Sequence, residues 1–340
     1  MLCERALIHL KLQKAPSLLS QRTVGAVLRI SFGNFLFFAL NMLVTLGVRR
    51  KDDPRAIAHT ALWAPKFIIW AGLIGMTFAL PNHVFYVYGQ IARVLSGFFL
   101  ILQIIILLDW FFGINEWLLS RDGWPERVAL ICGSALFFLG SLAVLGVLYH
   151  FYAPFASCSL NIFFITWTLI TAIVYTMISV SPWRMESAGL LTAGMVFAYA
   201  TFLLWSALTS EPLDARCVYS GGTGSKGVKI VGFLLGLAAI LFTTLTSSTE
   251  SKTLDMENGA ATNDDLLPYR PDFFHLVFLL ASAYLAMLFT SWSLDQTPGE
   301  FVVDKGWISV WVKMVSQWVC TLLYLWSLVA PRLLANRSFN

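Results

Sequence analysis

Nine stretches of this chain are continuous apolar runs of about 20 residues, the length a helix needs to cross a hydrocarbon core of roughly 30 Å. They fall at 24–47, 61–80, 84–109, 127–149, 159–180, 188–209, 229–247, 273–292 and 308–330. Barrel strands are shorter, about ten residues, and alternate in polarity, so only helices can satisfy the backbone of these runs within lipid. The expected fold is an all-α polytopic membrane protein of about nine transmembrane helices. Composition agrees. With 58% hydrophobic and 12% charged residues, the chain has too little charge to solvate a globule of 340 residues, since soluble domains are about 25% charged. A soluble enzyme, a disordered chain and a secreted disulfide scaffold are excluded. A net charge of +4, spread thinly, excludes a nucleic-acid binder.

Breakers mark the joints: Asp53-Pro54, Pro81-Asn82, Ser181-Pro182 and Glu211-Pro212. Residues 210–228, with Gly221-Gly222-Thr223-Gly224, and the acidic stretch 248–272 read as connectors that bury nothing. Residues 1–23 form a basic tail carrying Arg5, Lys11, Lys14 and Arg22 without an apolar run of signal-peptide length, so the first span is expected to act as its own signal. Arg49, Arg50, Lys51 and Arg55 mark the 48–60 loop as cytosolic. Alternation over nine spans then puts residue 1 outside and Asn340 inside, a sidedness the basic tail opposes.

One run is longer than a simple span. No proline interrupts Val84 to Trp124, and a helix from 84 to about 119 would measure roughly 50 Å, so it must tilt or project beyond the core. Asp109 and Glu116 are seven residues apart and share one face of it.

Ionisable residues within spans are costly, about 2.5–3.5 kcal/mol each on insertion scales, and face a partner, water or the headgroups. Lys66, Arg93 and Lys313 are such residues. Together with Asp109, Asn115 and Glu116 they form the candidate lining of a polar groove. At least one of Lys66 and Lys313 is expected to meet Asp109 or Glu116. Catalytic signatures are absent: there is no H-E-x-x-H, no clustered aspartates of a phosphatidyltransferase, and 221–227 lacks the Walker spacing. His9, His59, His83, His150 and His275 are too scattered in sequence for a metal site, so no cofactor or metal is expected. Gly189, Gly194, Gly232 and Gly236 signal close helix packing. Cys158 and Cys217 flank the fifth and sixth spans on the side assigned to the lumen, where an oxidising compartment permits a bridge; they are expected to pair.

The sequence also resembles the serine incorporator family, closest to its plant-type branch, over about 24–338. The carriers are Asp53-Pro54-Arg55 with His59, Trp63 and Lys66; Asp109 to Asn115-Glu116-Trp117; Cys158 with NIFFITWTLITA; AGLLTAGMVFAYATFLLWSALTSEP; Phe273-Phe274-His275 with Tyr284 and Trp292; and WVKMVSQWVCTLLYLWSLVAP. Order and spacing, more than any one piece, make the likeness specific. Two features depart from it: the family carries ten spans, with one helix ahead of the segment at 24–47, and Pro65 stands where an aromatic residue is usual. The resemblance implies a non-enzymatic lipid-handling protein of the endoplasmic reticulum, Golgi or another endomembrane, or of the plasma membrane. Its expected partners are membrane lipids, serine and lipid-synthesis enzymes. It also implies two helical subdomains joined by a long tilted helix, and it transfers no catalytic residue. Two activities follow: supply of serine to phosphatidylserine and sphingolipid synthesis, or ATP-independent lipid scrambling. An ion-coupled transporter would show paired broken helices in repeated halves, and no such pairing is visible.

Overall fold

A computed structural model describes residues 24–121, 123–181, 188–212, 217, 270–292 and 304–333. The basic tail 1–23, the run 229–247 and most of the two connectors lie outside the described residues. What is described is helical, with no strand among the described residues. Among the described residues, seven helices are long and apolar enough to cross a membrane: α1 (Val24–Val44), α3 (Asn82–Ser120), α4 (Trp124–Tyr152), α5 (Ser159–Val180), α6 (Leu190–Thr209), α7 (Pro271–Phe289), and α8 (Trp307–Leu333) through its Trp307–Ala330 portion. Between α1 and α3, the apolar run at 61–80 forms the shorter α2 (Trp63–Thr77), 15 residues long. Hydropathy overstated it because its apolar ends are not helical. Leu62 sits in the left-handed region at φ 62°, and Phe78, Ala79 and Leu80 close three-residue turns ahead of Pro81.

The 39-residue α3 is close to the long helix expected at 84–119 and slightly exceeds it. At about 1.5 Å per residue it measures roughly 58 Å, nearly twice a hydrocarbon core. The chain divides into two compact units, one from Met1–Leu100 with Leu237–Asp304 and the other from Ile101–Gly236 with Lys305–Asn340. α3 contributes its first half to one and its second half to the other.

In the first unit, α1 and α2 meet backbone to side chain at Gly33. A Cβ there would stand 2.9 Å from the Cα of Ile74, so only glycine allows the approach. Trp70 Nε1 donates to Asn34 Oδ1 at 2.7 Å across the same contact. Ser31 ties three helices together, sharing a 2.7 Å hydrogen bond with the Tyr88 hydroxyl and donating to the Ser282 carbonyl at 2.8 Å. Rings of Phe32, Phe85 and Tyr88 fill the space around it.

In the second unit, α6 is the central helix, packed against α4, α5 and α8. Its buried residues occur on every side, including Ala193, Gly194, Val196, Ala200, Leu204 and Ala207. Small side chains let neighbours close in, which is the main source of packing where lipid is as apolar as leucine. A Cβ on Gly194 would meet Phe137 Cβ at 3.2 Å and Phe138 Cε2 at 3.3 Å. By contrast, a Cβ on Gly140 of α4 would meet nothing within 4 Å. Gly194→Leu should therefore destabilise the protein by about 1–3 kcal/mol through overpacking, read as lost thermal stability in detergent, while Gly140→Leu should leave the melting temperature unchanged.

Candidate functional site

Polar residues of α8 recur every three or four positions and so fall on one face: Ser309, Lys313, Ser316, Gln317, Thr321 and Tyr324. None is more than 9% exposed. From Ser309 to Tyr324 the stripe rises about 22 Å, most of the depth of a hydrocarbon core. Facing helices of the same unit answer it. Gln317 Nε2 donates to Thr168 Oγ1 of α5 at 2.6 Å. The Tyr324 hydroxyl lies 3.0 Å from Ser179 Oγ of α5 and 3.3 Å from Thr192 Oγ1 of α6. Ser316 and Thr321 satisfy their own hydroxyls by donating to Val312 and Gln317 carbonyls one turn back. The seam is not saturated, however. Ser309 Oγ, Gln317 Oε1, Tyr175 Oη, Thr201 Oγ1 and Trp318 Nε1 are buried with no hydrogen-bond partner.

One end of the seam is built on the C-terminus of α6, whose last four carbonyls have no partner further along the helix. Each one is accounted for. The Ser206 carbonyl accepts from Lys313 Nζ at 3.2 Å and from Ser210 Oγ at 2.9 Å. The Ala207 and Leu208 carbonyls accept the amides of Ser210 and Glu211. The Thr209 carbonyl accepts from Lys305 Nζ, which also donates to the Glu211 carbonyl at 3.0 Å. Lys313 Nζ donates to Ser210 Oγ at 2.6 Å, and the Gly306 amide donates to the Ser210 carbonyl at 2.9 Å. Two ammonium groups thus sit at the negative end of the helix dipole, which offsets the cost of burying them.

Glu211 lies beside them, 1% exposed. The Asn161 side chain reaches its carboxyl, while its Oε1 has no partner. Burial pushes this carboxyl up to about 7, against the opposing pull of Asn161 and Lys305. Asn161 is itself anchored by donating to the Tyr152 carbonyl at 2.9 Å. A disulfide joins Cys158, at the start of α5, to Cys217, with the Cα atoms 5.8 Å apart. The bond holds Cys217 beside the first turn of α5, the turn that carries Asn161.

The residues singled out from sequence are divided between the units, Lys66 and Arg93 in the first and Asp109, Asn115, Glu116 and Lys313 in the second. Lys313 and Asn115 are buried in the second unit, the latter so close to Gly189 that a Cβ there would stand 2.7 Å from Asn115 Oδ1. Asp109 and Glu116 share the expected face of α3 but are exposed, and among the described residues no ion pair joins either to a lysine. Lys313 Nζ is held at the end of α6 by one carbonyl, that of Ser206, and one hydroxyl, that of Ser210. Lys66 belongs to the first unit, where Nζ donates to the His59 carbonyl at 2.8 Å and lies 4.8 Å from the Trp63 ring centroid. Arg93, also in that unit, donates to Gln90 Oε1 at 3.1 Å and to the Trp292 carbonyl at 3.0 Å. Histidines that looked scattered are partly gathered, with His59 Nδ1 and His275 Nε2 3.2 Å apart. No group of three or more metal-ligating side chains occurs among the described residues. Sequence reading missed Ser309, Gln317, Ser206, Ser210 and Glu211. The three-and-four spacing of polar residues through VKMVSQWVCTLLY was the available signal.

Together these features define a polytopic α-helical membrane protein with a polar seam inside one of its two units. The sequence model of the serine incorporator family matches residues 11–267 and 255–337, and the chain belongs to that family. It is 29% identical to serine incorporator 3 of Bos taurus and 30% identical to serine incorporator 3 of Mus musculus, in each case over 93% of this chain and 80% of the relative. Membrane protein TMS1 of Saccharomyces cerevisiae is 26% identical over 91% of this chain and 80% of that protein.

Thiol labelling separates the cysteines of the second unit. Cys132, which is exposed, should react in detergent without reductant, and Cys320, which is buried, only after unfolding. Cys158 and Cys217 should react only after reduction, as peptide mass spectrometry will report. Cys158→Ser should cost on the order of 4 kcal/mol of stability in the loop-entropy account of a disulfide, measured by unfolding in mixed micelles.

Proposed function

We propose that this protein handles membrane lipids without covalent chemistry, facilitating the entry of serine into phosphatidylserine and sphingolipids at an endomembrane. The name shared by its relatives supports the serine reading. In this reading α2 and the run at 229–247 are also crossings, which completes nine, and lipid-synthesis enzymes are the protein's partners. The observation that carries it is the seam of α8, which sets hydroxyl, amide and ammonium groups about 22 Å deep inside a membrane-spanning unit. Polar groups within a membrane mark pathways for polar cargo. A serine-type headgroup needs donors and acceptors together along its way, and the unpartnered atoms of Ser309, Gln317 and Tyr175 supply them.

The same seam favours a second reading, ATP-independent scrambling, in which the headgroup follows it while the acyl chains stay in lipid. Purified protein in liposomes, assayed separately for serine flux and for labelled-lipid movement, distinguishes the two. Under either reading Lys313→Met and Gln317→Leu should each slow transfer by about tenfold, the equivalent of about 1.4 kcal/mol on the barrier. Glu116→Gln, on an exposed face, should match the parent. Parent rates in both seam variants would make the seam a packing device and the reading wrong.

A further inference from the structure

The carboxyl of Glu211 stands out at the end of α6. It is almost fully buried, one oxygen is unpartnered, and no ion pair reaches it among the described residues. The nearest cation is committed elsewhere: Lys305 donates to the Thr209 and Glu211 carbonyls. A buried carboxylate beside an ammonium would ordinarily form a charge-assisted bond with it. Here the carbonyls hold the ammonium instead, the arrangement expected of a carboxyl that carries its proton. Asn161 suits either form, because an amide offers both a donor and an acceptor.

We propose that Glu211 is a proton-binding site and that loss of its proton draws the Lys305 ammonium from the α6 carbonyls to the carboxylate. The proton leaves to water, Lys305 keeps all of its own, and the Thr209 carbonyl is uncapped. The change is passed on locally, since the Ser210 carbonyl one residue along holds the Gly306 amide that leads into α8. At this end of the unit the charged groups among the described residues are Lys305 and Lys313 from the α8 side. α5 brings the neutral Asn161 and the disulfide, and α4 brings the Tyr152 carbonyl, with His150 on its last turn exposed. Asp304, the chain neighbour of Lys305, belongs to the other unit. The raised proton affinity of the buried Glu211, to about 7, puts the exchange near neutral pH.

The sign of the stability effect follows from the acid being weaker in the folded chain. The contribution is fully present below the ordinary carboxyl value of 4.5 and is lost as pH rises through about 7. The test is infrared difference spectroscopy of the whole protein in nanodiscs, which needs no lipid flux and so stands apart from the transport readings. The carbonyl stretch of a protonated carboxylic acid should disappear as pH rises through about 7, and the band should be missing in Glu211→Gln. Thermal stability should fall over the same range in the parent and stay flat in Glu211→Gln. Lys305→Met should move the midpoint upward and Lys305→Arg should keep it. A parent band titrating near the ordinary carboxyl value, or a midpoint indifferent to Lys305→Met, would overturn the proposal.

Discussion

Every polar group that this chain places in lipid has to find its partner within the chain, because the hydrocarbon offers none. The backbone meets that demand by forming helices. Side chains meet it by turning inward, and helix ends meet it with whatever donors the neighbouring segments provide. The last turn of α6 shows the demand met in full. Two lysine ammoniums, a serine hydroxyl and two backbone amides close its carbonyls one by one. Without Lys305 the Thr209 carbonyl at the end of this central helix would be an unsatisfied acceptor, and without Lys313 the Ser206 carbonyl would lose its link to α8.

Packing in the second unit follows from that placement. α6 is apolar and small enough to be covered on all sides, so it takes the middle, and α4, α5 and α8 surround it. α8 then faces α6 with a polar stripe rather than an apolar one. Ser316 and Thr321 in that stripe return their hydroxyls to their own helix, which lets a polar face pack at low cost. The atoms left over, on Ser309, Gln317 and Tyr175, give the seam a capacity for further hydrogen bonds that packing alone does not call for.

At the disulfide end, covalent and electrostatic constraints act on the same few residues. The bond from Cys158 ties Cys217 to the start of α5, and Asn161, one turn beyond Cys158, contacts the Glu211 carboxyl. In this way an acidic residue just past a helix C-terminus, where the dipole disfavours negative charge, is held near Lys305 and out of water.

The apolar runs were enough to determine the fold class, the long α3 and the helical reading of the span segments, because hydrocarbon imposes one length and one kind of secondary structure. The run at 61–80 shows the limit of that signal: apolar composition cannot reveal that Leu62 turns left-handed or that Phe78–Leu80 leave the helix. Sequence also showed which residues are charged and that Cys158 and Cys217 border one hairpin. It could not show which charge meets which partner. Asp109 and Glu116 were the acids nearest to hand on paper, yet Lys313 is satisfied by Ser206 and Ser210, and the acid buried near the lysines is Glu211. A periodic pattern fixes the face of one helix, whereas a partner is chosen by the rotation and depth at which two helices pack. Those depend on close approaches such as Gly194 on Phe137, and only the tertiary structure decided them.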